Sequence, residues 1–294
     1  MKKDSYFMSD RLFYIIIYLV VGLAFFITLY PFIYIVSVSF SSTLSIDRQE
    51  VFLWPVGFTI DGYKQVLKND GMWLSYGNTI WYTVVGTLFN LVATTIAAYP
   101  LSRKAFSGRK FLNFFIAFVM YFSGGLIPTY LLLTKLGFYN SRWVMIIPGL
   151  ISTYNVMICR SAFSSIPDEL IESSQIDGAN DLWILYKVAI PLIKPTLAVI
   201  TLYYAIGHWN NYFTALLYLG KQNLQPVQML LRRILLLASQ EFQQGTDVIA
   251  AEKAISSVQI RYVTIVVTTL PIVLVYPFVQ KYFVKGVMLG AVKG

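Results

Sequence analysis

Residues 166–195 read IPDELIESSQIDGANDLWILYKVAIPLIKP. This is a charged, helix-forming stretch in a chain that is otherwise strongly apolar. Ser165 followed three residues later by Asp168 has the spacing of a capping box. Pro167 suits a helix start, and Asp168 and Glu169 suit the positive end of a helix dipole. Gly178 lies about three turns further on, where a left-handed C-cap belongs. Asn180 can cap a second helix running to about Ala189, which Pro191 then stops. The expectation is helix, glycine turn, helix. Ser173 and Ser174 are small and would let another protein approach the first helix closely. Local pattern alone fits a surface hairpin equally well.

The surroundings make the stretch unusual. Of 294 residues, 57% are hydrophobic and 13% charged, about half the charge of an average soluble domain. Water could not solvate so much Leu, Ile, Val and Phe, so the class is a polytopic membrane protein. Six charge-free segments are candidates for the roughly 20 residues a membrane helix needs: 12–40, 77–101, 111–134, 143–159, 196–220 and 262–280. The fourth is the shortest. The first is too long for a signal peptide, and no A-x-A site follows it, so it reads as a retained helix. The fold expected is all-α, with six transmembrane helices in one domain over 1–294. Its loop 160–195 and tail 281–294 are cytoplasmic, and its long loops 41–76 and 221–261 lie outside.

Orientation rests on Lys and Arg placement. The short loop 102–110 holds Arg103, Lys104, Arg109 and Lys110 without an acid, which puts it inside. Both termini and 160–195 then fall on the same side, and inside segments hold 13 of the 23 cations. That excess is small, so the short loop decides. A net charge of +9 is thus explained by topology, and nucleic acid is not an expected partner. The single cysteine, Cys159, excludes an intrachain disulfide framework. One His and one Cys leave little for metal or nucleophilic chemistry. There is no GxxxxGK[ST] loop, so the chain carries no Walker-type nucleotide site. No residue is assigned a catalytic role.

The pattern in 166–195 resembles the EAA signature of ABC importer permeases, the loop that docks on the ATP-hydrolysing subunit. Glu172, Gly178 and Pro191, thirteen residues beyond the glycine, match it. Asp177 and Ala179 resemble the sugar-importer branch, while Ser173 and Ser174 replace two alanines and Val188 and Ile190 replace Ile and Leu. SGGLIPTYLLL (123–133), GHWNNYFTALLYL (207–219) and YFVKGVMLGAVKG (282–294) resemble further segments of the maltose-type carbohydrate permeases, in order. Within that family the chain looks most like permeases for oligosaccharides from complex polysaccharides. The resemblance implies a type I importer permease in a bacterial plasma (inner) membrane. It implies a second six-span permease, two ATPase subunits that bind ATP and Mg, an extracytoplasmic binding protein and surrounding lipid. It also implies that Glu169, Glu172, Ser173, Ser174, Asp177, Gly178, Ala179 and Pro191 couple to the ATPase. Gly286, Gly290 and Lys293 of the tail would reach toward it as well.

The fifth apolar segment centres on His208-Trp209-Asn210-Asn211-Tyr212. Such groups are costly against lipid, so they face a cavity or the bundle interior. At helical spacing Tyr204, His208, Asn211 and Ala215 form one stripe, and Tyr203, Gly207, Asn210 and Thr214 the next. Aromatic faces and amides recognise sugars, which makes Tyr204, His208, Trp209, Asn210, Asn211 and Tyr212 candidates for the translocation pathway. The same groups can instead bond across helices and hold the bundle together. Tyr121, Tyr154 and Asn155 are further polar points. The rivals to a sugar importer are an ABC permease for a non-sugar solute and a gradient-driven secondary carrier. The carrier would want buried carboxylates in its spans, and the six segments contain none.

Overall fold

The computed structural model describes residues 3–244, 258–275 and 277. Those residues are helical or irregular, with no strand among them. Three helices are long and apolar enough to cross a membrane by themselves: Lys3–Ser39 (α1), Asp70–Ser102 (α4) and Val258–Val275 (α13). They fall in the first, second and sixth predicted segments, the last of which is described continuously only as far as Val275. Short helices Thr43–Asp47 (α2) and Asp61–Leu67 (α3) lie between α1 and α4.

The other three predicted segments are interrupted. The third splits into Arg109–Tyr121 (α5) and Leu126–Lys135 (α6), bent by 112°. Between them Phe122 is extended and Gly125 sits at φ +85°, a conformation that favours glycine. Pro128 falls in the first turn of α6, where a missing N–H costs nothing. The fourth is not one helix. A 3-10 turn, Arg142–Met145, gives way to irregular backbone around Pro148, and only Thr153–Ser164 (α7) is regular. The fifth, Lys194–Trp209 (α10), stops at Asn210 and resumes as Phe213–Tyr218 (α11).

The loop stretch folds as Asp168–Ile176 (α8), a turn, and Asp181–Leu192 (α9). Gly178 adopts φ +82° as expected, and the Asn180 side chain accepts from Trp183 N. Two details differ. Ser165 does not cap α8: its hydroxyl donates back to Ala162 O, and Pro167 stands at the cap without a side-chain bond. Pro191 does not end the second helix at Ala189 either. A π turn at Leu185–Ala189 absorbs the proline, and the chain bends by 86° at Ile193 before α10.

The chain divides into two compact units, 1–70 with 231–270, and 71–230 with 271–294. Val227–Gln244 (α12) contributes residues to each. The first unit is organised by α1 and its following hairpin. There Phe40 stacks on Phe58 and Tyr63, and Gln259 donates to Ser41 O. The second unit is built around α4. One core joins Ala98, Tyr99 and Leu101 of α4 to Val156, Cys159 and Phe163 of α7. A second gathers Tyr82, Val144, Ile146, Tyr218 and Leu219.

Candidate functional site

The loop stands on an apolar root. Ile171 of α8 and Ile184, Leu185 and Ala189 of α9 are buried in the core shared by α4 and α7. Arg103, at the end of α4, donates to Phe163 O, and its guanidinium lies over the Tyr99 ring. Lys104 bonds Asp168 at 2.9 Å, the first acid of α8. That ammonium, by hydrogen bond and charge, holds the Asp168 carboxyl below the usual carboxylate range. The short basic loop is therefore tied to the start of α8.

What remains exposed is an outer face of mixed character, with Ile176, Leu182 and Tyr186 standing out beside the polar side chains. Glu169, Glu172, Ser173, Asp177 and Gly178 are solvent-exposed, and Ser174 and Ala179 are half-buried. Both serine hydroxyls donate to Leu170 O, so they add little bulk to the outer surface. A Cβ at Gly178 would meet nothing within 4 Å, which leaves the turn open to an approaching surface. Pro191 is exposed on the last turn of α9. A cavity of about 680 Å³ runs beneath, lined by Tyr99, Lys104, Asp168, Ile171, Glu172 and Leu185 among others.

The second candidate site divides cleanly. Tyr204, His208 and Ala215 of the first stripe are buried, and Asn211 is half-buried. His208 Nε2 pairs with Asn90 Oδ1 at 2.6 Å. Asn90 Nδ2 in turn donates to Gly149 O and Leu150 O. The Tyr204 hydroxyl shares a bond with Thr94 Oγ1 at 2.6 Å and accepts from Ser152 N. Two carbonyls and an N–H set loose by the broken fourth segment thus find partners on α4 and α10, as backbone at membrane depth requires. Gly86 makes room for this: a Cβ there would lie 2.5 Å from His208 Nε2. Trp209 is buried against Tyr76, ring centroids 6.2 Å apart.

The neighbouring stripe points away from the core. Tyr203, Gly207 and Asn210 are exposed, and Tyr212 with them. Asn210 ends α10, and Asn211 Oδ1 accepts from Thr214 N to start α11. Tyr154, also exposed, lies beside Tyr203 at 6.4 Å. Asn155 is buried. Gly286, Gly290 and Lys293 lie outside the described residues.

Asn90, Thr94 and Gly86, which build the buried network, were not singled out in the sequence. The available signal was an amide deep in an apolar segment, which is costly unless paired. Asn78 is a second case, joining Asn223 O, Gln225 O and Arg142 Nη2 at the other end of α4.

Residues 91–289 match the family of binding-protein-dependent transport system inner membrane components, and the chain belongs to that family. It is 38% identical to the polygalacturonan/rhamnogalacturonan transport system permease protein YtcP of Bacillus subtilis (strain 168), covering 98% of this chain and 100% of that one. It is 40% identical to Protein LplC of the same organism, over 91% and 90% of the two chains. Among solved structures it is similar to a chain of a bacterial ABC transporter involved in the import of the acidic polysaccharide alginate. That match has a TM-score of 0.85, 37% identity, and covers 94% of this chain and 98% of the other. The resemblance read from the EAA-like loop and the three further motifs is borne out, and the alternative of a gradient-driven carrier falls away.

Proposed function

We propose that this chain forms half of the translocation pathway of an ATP-driven, binding-protein-dependent importer of oligosaccharides. A second six-span permease supplies the other half. Two ATPase subunits, which bind ATP and Mg, dock from the cytoplasm, and an extracytoplasmic binding protein delivers the sugar. The chain itself catalyses no reaction. It acts as a single permease domain in the bacterial inner membrane, multi-pass, with both termini, the loop 160–195 and the tail 281–294 inside. The loops 41–76 and 221–261 face out. YtcP and the alginate transporter handle acidic polysaccharides by name, so uronate-containing oligosaccharides are the first substrates to test.

The observation that carries the coupling role is the two-faced loop. Its inner face is locked into the α4–α7 core, and its outer face offers Glu169, Glu172, Ser173, Ser174, Asp177, Gly178 and Ala179 to a partner. A push on such an element reaches α4 and α7 as rigid-body motion, because the apolar root cannot yield independently. Pro191 and the π turn keep α9 continuous with the bend that leads into α10. The tail residues Gly286, Gly290 and Lys293 add a second contact with the ATPase. The exposed residues Tyr203, Gly207 and Asn210 of the second stripe, with Tyr212, are the face available to the pathway, and Tyr204, His208, Trp209 and Asn211 lie behind them as support.

The test is Gly178→Asp in the assembled transporter. The substitution places a side chain at φ +82° on the open face, costing about 1–2 kcal/mol locally. The expected result is normal co-purification of the subunits with ATP-driven uptake reduced by at least about tenfold, or about 1.4 kcal/mol of lost coupling. Full uptake by an intact Gly178→Asp complex would end the coupling assignment.

A further inference from the structure

The segment after α1 is folded back along the helix that leads to it. Ser37 Oγ donates to Leu53 O at 2.6 Å, Val56 N donates to Ser41 Oγ, and Ser42 N donates to Val56 O. Thr59 N donates to Phe40 O, and Phe58 stacks on Phe40 with the rings 9° from parallel. Gly57 makes the turn at φ +63°, where a Cβ would come within 2.7 Å of Ser42 Oγ. Leu53 is therefore fixed level with Ser37, below the end of α1.

This depth can be placed. The apolar run of α1 starts just after Arg11, and about 20 residues cross the roughly 30 Å hydrocarbon layer, ending near residue 32. Ser37 is five residues further, about 7.5 Å along the axis at 1.5 Å per residue. The headgroup region adds about 5–8 Å on each side. Leu53 and its neighbours thus stand inside the headgroup layer rather than beyond it.

The side chains presented there are apolar and uncovered. Phe52 is 65% exposed, Trp54 80% and Phe58 70%. No charged residue occurs from Val51 to Ile60. The charges at the two rims are paired among themselves, Arg48 with Glu50 and Lys64 with Asp61. The backbone groups of Leu53 and Val56 that face α1 are already hydrogen-bonded, which is the condition for irregular backbone to approach lipid. The exposed apolar surface is continuous with that of α1, where Val36 is also exposed.

We propose that residues 51–58 form a lipid-interface wedge, with Phe52 and Trp54 seated in the headgroup layer on the side of the membrane opposite the N-terminus. Trp is the side chain best suited to that layer, having an apolar body and a polar N–H. The wedge fixes how deeply α1 sits. It also commits this half of the loop 41–76 to lipid, so a delivering protein must use other parts of the outer surface. The proposal requires α1 to span the membrane and is independent of what the transporter carries.

Nitroxide labels at Trp54→Cys, Val20→Cys and Lys68→Cys, each in the full transporter in lipid nanodiscs, test it. Cys159 is fully buried, and a Cys159→Ala background removes it as a labelling site. The label at position 54 should collide with oxygen more often than the label at position 68, though less often than the one at position 20 within the hydrocarbon layer. Its collisions with a water-soluble nickel chelate should be several-fold rarer than those at position 68, and adding binding protein should change neither. Ser37→Ala, which removes the Leu53 hook, should raise the nickel collisions at position 54. The proposal is overturned if position 54 is as open to nickel as position 68 while position 20 stays lipid-like. Protection that develops only when binding protein is added overturns it too, identifying a protein contact instead. Nickel access at position 20 would overturn both the wedge and the span assigned to α1, leaving the importer reading standing.

Discussion

Helices α1 and α4 are the two longest among the described residues, and both pass for membrane spans by composition. They behave in opposite ways. None of the apolar window of α1 is buried, whereas 44% of that of α4 is. α1 is apolar around its whole circumference over residues 13–27. Whatever covers it is lipid or another subunit. α4 is two-faced. Ile80, Val84, Leu88, Val92 and Ile96, four residues apart, point outward, and Ser75, Asn78, Thr79, Gly86, Thr87, Asn90 and Thr94 point inward. Lipid offers no hydrophobic drive toward the bundle, so close packing and interhelical hydrogen bonds gather the helices. In a membrane protein the small and polar stripe, rather than the apolar one, marks the inside.

One substitution made in both helices gives the largest contrast. Gly86→Leu drives a side chain into His208 and displaces the pair with Asn90. It should cost about 3 kcal/mol or more by overpacking and leave little assembled transporter on size-exclusion chromatography. Gly22→Leu meets nothing within 4 Å and, by helix propensity, should leave yield and melting temperature unchanged or slightly raised. Equal damage at both positions would break the comparison.

Asn90→Leu comes next. It keeps the volume and the apolar character of a span but leaves Gly149 O, Leu150 O and His208 Nε2 without their partner. At about 1–3 kcal/mol for a buried group left unsatisfied, the loss should appear as a clear drop in melting temperature of the purified complex. A smaller effect, about 1 kcal/mol, is expected for Tyr204→Phe, which deletes only the hydroxyl shared with Thr94 and Ser152. A thermal-shift series ordering Gly86→Leu, Asn90→Leu and Tyr204→Phe by severity checks the ranking.

The smallest effect lies outside the membrane. Lys104 holds the exposed Asp168 below the ordinary carboxylate value of 3.8. A depressed carboxylate adds stability above its unfolded pKa and loses that contribution as pH falls through the folded one. Lys104→Ala should therefore lower stability by a small, constant amount at neutral pH, and the two proteins should converge in acid. Melting temperature against pH for both is the measurement. A difference that grows in acid would contradict the ion pair.

Most of the candidate loop was legible because it is made by short-range rules. The turn at Gly178 and the cap at Asn180 each follow from residues within a few positions. Ser165 misled because its hydroxyl has two local uses, forward to a cap or back to Ala162 O, and the chain takes the second. The second stripe was harder. Its spacing showed that Tyr204 and His208 share a face with Asn211 and Ala215, yet not whether that face looks into the bundle or out toward a pathway. Deciding that required the location of Asn90 and Thr94, 118 and 110 residues away in the chain.

The sequence by itself determined the membrane class, the order of apolar segments, the helix–turn–helix loop and the family, because composition, helical period and motif spacing are local quantities. Only the tertiary structure decided where three of the six apolar segments break. Hydropathy depends on side chains, whereas a break depends on whether the freed backbone groups have partners. For the fourth segment those partners are Asn90 and the Tyr204 hydroxyl, brought to residues 149–152 only when α4 and α10 pack together.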